Sequence, residues 1–155
     1  MPDITKSGVR ALVEAGDETA ILALFDEDPH RVQRFLKRLA CAPDAAYHAR
    51  TVACFLMLSR ERSAGMPEFF RETIRRSLWE MNEEGGNVAW SAPEIAAAVV
   101  AGAPERYGQF ASYLIMAALD EPTFHPSLLA AADLLAAADP ALVEEFLPQL
   151  ESLRR

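Results

Sequence analysis

Apolar residues recur along this chain at the spacing of one face of an α-helix, and the recurrence is anchored on four prolines. The prolines lie at positions 29, 67, 104 and 140, so they are 38, 37 and 36 residues apart. Positions 3, 6, 7 and 10 after each proline are mostly apolar, and such positions share one side of a helix. They are Val32, Phe35, Leu36 and Leu39; Phe70, Thr73, Ile74 and Ser77; Tyr107, Phe110, Ala111 and Leu114; and Val143, Phe146, Leu147 and Leu150. Each proline therefore predicts the start of a helix, because the first turn does not need the N–H that proline lacks.

A second helix is expected after each of the first three proline helices. These second helices are predicted over about residues 44–60, 93–101 and 126–138. Before the first proline, Gly16 divides a further hairpin into helices 4–15 and 17–27. After the last proline a single helix is expected, and Pro148 should kink or split it because proline disrupts the bonding of a helix interior.

The pattern predicts one all-α domain over residues 1–155, with about nine helices and no strand, since no stretch alternates with period two. The repeat length lies near that of HEAT and armadillo repeats, and the Trp, Leu-Gly and Tyr pattern of tetratricopeptide repeats is absent. The expected architecture is a right-handed stack of antiparallel helical hairpins, an α-solenoid of the HEAT or armadillo type. Its parts are an N-terminal hairpin 4–28, repeats 29–62, 67–102 and 104–138, and a C-terminal cap helix 140–154.

Residues 79–94 interrupt the repeat with a loop of unusual composition. Gly85 and Gly86 allow turns that end one helix and redirect the chain, and Ser91 and Glu94 have the spacing of a capping box. The loop resembles the signature Asn-[Asp/Glu]-Glu-Ser-Gly-Gly-x-x-Trp-x-Ala-Pro-Glu of a group of small bacterial HEAT-like proteins. The matching residues are Asn82, Glu83, Glu84, Gly86, Trp90, Ala92, Pro93 and Glu94, and Gly85 stands where the signature has Ser. The resemblance implies the helical-repeat fold and marks the loop as a site, and it implies no activity.

Two interpretations of this loop stay open. In the first, a polar pocket with aromatic walls binds a cation or a small ligand, because carboxylate and amide oxygens near aromatic rings suit such ligands. Its residues would be Trp79, Asn82, Glu83, Glu84, Trp90 and Glu94. In the second, the glycines and the capping box only connect two helices, and the tryptophans fill the core.

Charge is distributed unevenly along the chain. The net charge of −8 is the balance of a basic middle, residues 31–76 with net +6, and two acidic ends, residues 1–30 with −5 and 77–155 with −9. Lys37–Arg38 and Arg75–Arg76 hold the same places after their prolines, so stacked repeats should bring these pairs side by side. The predicted basic ridge consists of Arg31, Arg34, Lys37, Arg38, Arg71, Arg75 and Arg76. It would bind phosphates or an acidic protein, or it would be a solvated face balanced by nearby acids. No aromatic residue is expected on its exposed side, which disfavours single-stranded nucleic acid.

Other classes of site lack support in the sequence. Cys41, His48 and Cys54 do not have the spacing of a zinc motif, so no metal is expected, and Cys54 is interpreted as a small core residue. His30 and His125 flank helix-starting prolines and are expected at the surface. No catalytic triad can be argued and no phosphate-binding glycine motif is present, so neither a catalytic residue nor a cofactor is expected.

The location of the protein is predicted from what its sequence lacks. The start of the chain has no signal-peptide pattern, and the longest near-apolar stretch, residues 95–103, is too short to span a membrane. Two cysteines are too few for a disulfide framework. These features predict a reduced, cytoplasmic protein with no membrane partner.

Three functions fit these observations. The first is a non-enzymatic scaffold that binds another protein, since helical stacks offer a concave face to partners. The second is a small-ligand or enzyme site at the 79–94 loop, with Glu84 or Glu94 as the charged group. The third is binding of nucleic acid or another anionic partner through the basic ridge, although the acidic net charge disfavours nucleic acid. The segregated charge would also favour self-association.

Overall fold

The computed structural model describes residues 3–82 and 89–155, and within these ranges the chain is all-α without a strand. Four 3₁₀ turns separate or precede some of the helices. The helices are α1 (Lys6–Ala15), α2 (Glu18–Glu27), α3 (Pro29–Ala40), α4 (His48–Arg62), α5 (Pro67–Asn82), α6 (Ala92–Gly102), α7 (Pro104–Tyr107), α8 (Ala111–Leu119), α9 (His125–Ala138) and α10 (Leu147–Arg154). The 3₁₀ turns are Gly108–Phe110, Pro122–Phe124, Pro140–Leu142 and Glu144–Phe146.

Local signals in the sequence account for several helix boundaries. Pro29 is the first residue of α3, and the Asp28 carboxylate before it accepts a hydrogen bond from the Arg31 backbone N–H at 3.2 Å, as an N-cap should. Pro67 and Pro104 are likewise the first residues of α5 and α7, and α7 has no side-chain cap. At the other end of a helix, Gly16 has φ 68 and closes α1 in the left-handed conformation that suits glycine.

Three helices differ from the sequence-based prediction. Helix α4 begins at His48 rather than near residue 44, because the chain first makes a tight turn closed by the His48 N–H on the Ala45 carbonyl at 3.0 Å. The third proline helix is divided into α7 and α8 by a 3₁₀ turn that starts at Gly108, a poor helix former. The predicted cap helix 140–154 begins as two 3₁₀ turns, and α10 starts only at Leu147, so that Pro148 lies in its first turn instead of interrupting its interior.

Helix α6 lies at the centre of the packing and contacts α4, α5 and α9. Every residue from Ala92 to Val100 is buried, and the small side chains let neighbouring helices approach closely. Ser59 on α4 donates a buried hydrogen bond to the Val99 carbonyl at 2.7 Å. The start of this central helix forms the floor of the candidate site.

Two polar residues interrupt the apolar positions of α5 and are nevertheless buried. The Thr73 hydroxyl donates to the Phe69 carbonyl at 3.1 Å and accepts from the Gln33 side-chain amide on α3. The Ser77 hydroxyl donates to the Thr73 carbonyl at 3.0 Å. Both side chains therefore have hydrogen-bond partners, which removes the main cost of burying a polar group.

Candidate basic groove between α3 and α5

Helices α3 and α5 and the start of α6 enclose a groove of about 520 Å³. Its cations are Arg34, Lys37, Arg38 and Arg76, its floor includes Ala89, Ala92 and Ile95, and Trp79 and Glu80 stand on the α5 side. The groove combines positive charge on its walls with apolar surface at its base. We call it the basic groove.

Helix periodicity places the lining residues on facing sides of α3 and α5. Arg34, Lys37, Arg38 and Cys41 follow the i, i+3, i+4, i+7 pattern along one face of α3. Arg76, Trp79 and Glu80 follow the same pattern on α5. Lys37 and Arg38 of α3 and Arg76 of α5 line this one groove, whereas Arg75 does not.

Two hydrogen-bonded links hold the walls and floor of the basic groove together. Lys37 Nζ donates to Glu80 Oε1 at 2.8 Å across the groove, and both side chains are mostly buried. The Ser91 hydroxyl donates to the Ala40 carbonyl at 2.7 Å and ties the entry of α6 to the end of α3. The second bond satisfies a carbonyl at the end of α3 that has no partner within its own helix.

The charges of the basic groove are only partly compensated. Glu80 neutralises Lys37, whereas within residues 3–82 and 89–155 no carboxylate lies at salt-bridge distance from Arg34, Arg38 or Arg76. The guanidinium carbons of Arg34 and Arg38 lie 5.7 and 6.0 Å from the centroid of the Phe35 ring. These cation–π contacts support the two side chains and leave their hydrogen-bond donors available.

Trp79 is an exposed aromatic residue beside this cluster of cations. Its side chain is 59% exposed, and it lines both the basic groove and a smaller depression formed with Glu72, Arg75 and Arg76. The prediction that no aromatic residue lies on the exposed side of the basic ridge is therefore wrong. The position of Trp79 is set by the turn of α5 on which it stands, one turn beyond Arg76.

The other three members of the basic ridge lie around the groove rather than in its lining. Arg31 is exposed in the first turn of α3. Arg71 forms an ion pair with Glu68 on its own helix. Arg75 lines the smaller depression next to Trp79. The ridge is thus a charged surface of which one part borders a concave site.

The capping box predicted at the start of α6 is absent. The Ser91 side chain makes no capping bond, because its hydroxyl is used by the Ala40 carbonyl. The Glu94 side chain is buried and its Oε2 lies 3.0 Å from His48 Nε2 on α4. Tertiary partners therefore take both side chains that the local motif would have paired.

The described members of the polar pocket predicted from the 79–94 loop lie in different surroundings. The Asn82 amide donates to the Leu78 carbonyl at 2.8 Å and remains local to α5. Trp90 is 49% exposed, so neither tryptophan fills the core as the second interpretation predicted. Glu94 lines a separate groove between α4 and α9. Glu83 and Glu84, with Gly85 and Gly86, lie outside the described residues.

The groove between α4 and α9 also measures about 520 Å³, and its surface is mostly apolar. Val52, Leu56, Met57 and Leu134 contribute to it. The Nδ1 atom of His48, whose Nε2 pairs with Glu94, is a buried nitrogen without a hydrogen-bond partner in the described part of the chain. The His48–Glu94 pair fixes the start of α4 against α6.

The cysteines differ in their surroundings. Cys41 is exposed at the end of the basic groove, whereas Cys54 is buried and burial raises the pKa of its thiol to about 12. This confirms Cys54 as a core residue. Residues 3–82 and 89–155 contain no group of three histidine, cysteine, aspartate or glutamate side chains that could hold a metal ion.

Comparison of the chain with known proteins identified no relative. Scans of the chain against protein-family models, curated proteins and solved structures each found no match. In the ranges that the structure covers, every helix is too short or too polar to cross a membrane.

Proposed function

We propose that this chain is a non-catalytic binding module and that its basic groove holds an acidic protein segment carrying one bulky apolar side chain. The proposal rests on three arginines, Arg34, Arg38 and Arg76, that surround an apolar floor. Among the described residues, no carboxylate forms a salt bridge with any of the three. Guanidinium groups bind carboxylates through paired hydrogen bonds, which favours a partner rich in Asp and Glu.

The apolar part of the partner is inferred from the floor and from Trp79. The half-buried Ala89 and the exposed Trp79 ring can pack against an aliphatic or aromatic side chain, while Ala92 and Ile95, which are themselves buried, close the floor. Exposed tryptophan and arginine are the residue types most enriched at binding hot spots. A segment with carboxylates on either side of one apolar anchor would therefore use the whole groove.

A helical-repeat architecture is part of this proposal. The contacts of α1 with α2, α3 with α4, α5 with α6 and α8 with α9 support a series of helical hairpins. The row formed by α4, α6 and α9 supports their stacking, as in HEAT or armadillo solenoids. Such stacks serve mainly as binding surfaces, which supports a binding role for this groove.

The proposal that the module is non-catalytic rests on the distance between the two reactive side chains in the lining of the basic groove. His30 and Cys41 both line it, but they are eleven residues apart on α3 and its C-cap. At 1.5 Å per residue they are separated by roughly 16 Å along the helix axis. A histidine can activate a cysteine only within hydrogen-bond reach, so the pair does not form a nucleophilic dyad.

Selection from a library of short random peptides tests the proposal. The wild-type chain should enrich acidic sequences with one Leu, Phe, Met or Trp, and the double variant Arg38→Glu/Arg76→Glu should lose them. Lys6→Glu, at the exposed first residue of α1, is a control for charge reversal outside the groove. Selected peptides without acidic residues, or acidic peptides that bind the double variant as well as the wild type, would contradict the proposal.

Single-stranded nucleic acid is a second candidate because Trp79 is exposed among arginines. Bases stack on such rings, and alanine replacement costs about 1–3 kcal/mol per base. If three arginines contact phosphates, the logarithm of affinity should fall with the logarithm of salt concentration at a slope of about −2. The net charge of −8 opposes an extended polyanion, so we rank this candidate second. Fluorescence anisotropy with a labelled oligonucleotide at low salt, with Trp79→Ala as the comparison, distinguishes the two.

A further inference from the structure

We infer that the partner held by the basic groove is the C-terminal end of a second copy of this chain. The inference rests on the proposed function, because it names the acidic segment that the groove would take. The candidate segment comprises the 3₁₀ turn Glu144–Phe146 and helix α10, and we call its exposed side the acidic knob. It is formed by Glu144, Glu145, Leu147 and Glu151.

The acidic knob presents one apolar side chain among carboxylates. Leu147 is 44% exposed, although most leucines of the chain are covered. Glu144 and Glu151 stand three residues before and four residues after Leu147, so helical spacing puts both on the side from which Leu147 projects. Glu145 is exposed next to them. A single apolar anchor with acidic neighbours is the pattern that the basic groove requires.

The charges of the acidic knob are not cancelled by the basic residue nearest to it in the helix. Arg154 Nη2 donates to Asp133 Oδ1 on α9 at 2.7 Å and is thereby neutralised. Among the described residues, Glu144, Glu145 and Glu151 have no cation within salt-bridge distance. The acidic knob therefore has three unpaired carboxylates, which match the three arginines of the basic groove in number and are opposite to them in charge.

The net charge of −8 does not prevent such an association at ordinary ionic strength. Interactions between exposed charges are screened beyond about 8–10 Å, so the local patches decide the encounter. The groove lies in the basic part of the chain and the knob in the acidic part, and a contact between them joins unlike surfaces. A head-to-tail contact of this kind builds rings or open chains of subunits.

Sedimentation velocity of the full chain over a concentration series tests the inference. The wild type should self-associate reversibly, and added salt should weaken the association. A groove variant, Arg38→Glu/Arg76→Glu, and a knob variant, Glu144→Lys/Glu145→Lys, should each weaken it by about tenfold or more. Lys6→Glu is again the control and should associate like the wild type.

Mixing the two variants gives the decisive result. The groove variant keeps an intact knob and the knob variant keeps an intact groove, so the mixture should form a one-to-one complex that neither forms alone. Complex formation also shows that both variants are folded. A monomeric wild type, or a mixture without a complex, overturns the inference. If acidic peptides still bind the groove in that case, the proposed function stands and only the second copy is excluded as its partner.

Discussion

Substitution of Gly102 by alanine tests how closely the central helix α6 packs against α4. A Cβ atom added there would lie 2.5 Å from the Leu56 carbonyl oxygen, 2.8 Å from the Ser59 Cβ and 2.9 Å from the Arg60 backbone nitrogen. Two of these three atoms belong to the backbone of α4, so they cannot move away as the end of a flexible side chain would. Gly102→Ala should therefore push α6 away from α4.

The expected cost follows from two opposing terms. Overpacking of a tightly packed core typically costs about 1–3 kcal/mol. Replacing glycine by alanine also reduces the entropy of the unfolded chain, which offsets about 0.4–1 kcal/mol. Gly102→Ala should thus lower the free energy of unfolding by about 0–2.6 kcal/mol relative to wild type, and Tm by up to roughly 10 °C for a chain of this size.

Urea denaturation followed by circular dichroism measures this change, and Gly65→Ala is the matched control. A Cβ at Gly65 would meet only the Arg62 carbonyl, at 4.0 Å, and its φ is not positive. The control should be neutral or slightly stabilising. If Gly102→Ala is as stable as the control, α6 does not lie against α4 as described, and the floor of the basic groove is misplaced.

Three further predictions concern single side chains. Ser91→Ala leaves the Ala40 carbonyl without its partner and should lower the free energy of unfolding by about 1–2 kcal/mol in urea denaturation. Iodoacetamide at mildly alkaline pH should label exposed Cys41 in the folded chain and label Cys54 only after unfolding, because burial raises the pKa of Cys54 to about 12; mass spectrometry reads both sites. A hydrogen bond from a guanidinium at the end of α4 lowers the pKa of Asp26, so this carboxylate stabilises the fold at neutral pH and loses its effect as pH falls through the lowered value. Asp26→Asn should therefore be less stable than wild type at neutral pH, and unfolding measured across acidic pH should show the difference shrinking.

Helix positions were predictable where the signal is local. Proline at the start of a helix, Asp28 as a cap and Gly16 after α1 each act through the backbone within a few residues, so the sequence alone indicates them. The division between α7 and α8 has one local signal, Gly108, which is a poor helix former. This signal was outweighed in the prediction by the apolar periodicity, which continues on both sides of Gly108.

The proline repeat indicates the cations of the basic groove. It also indicates that Trp79 is exposed, a signal that the prediction overlooked. At about 100° per residue, Trp79 lies roughly 170° from the mean direction of the four core positions that follow Pro67. It must therefore face away from the core, on the side of Arg76. The Ser91 and Glu94 bonds have no such signal, because their partners, Ala40 and His48, are distant in sequence.

The cations of the basic groove serve the fold as well as binding, and this shapes how its function can be tested. Lys37 and Arg38 lie in the last turn of α3, where positive charge offsets the negative end of the helix dipole. A charge reversal there removes a stabilising interaction together with a binding one. Arg38→Lys retains the charge at the helix end but lacks the planar fork that binds a carboxylate through two bonds. It should leave the free energy of unfolding nearly unchanged and weaken binding of the acidic segment. Equal binding by Arg38→Lys and wild type would mean that the groove attracts its partner by charge alone.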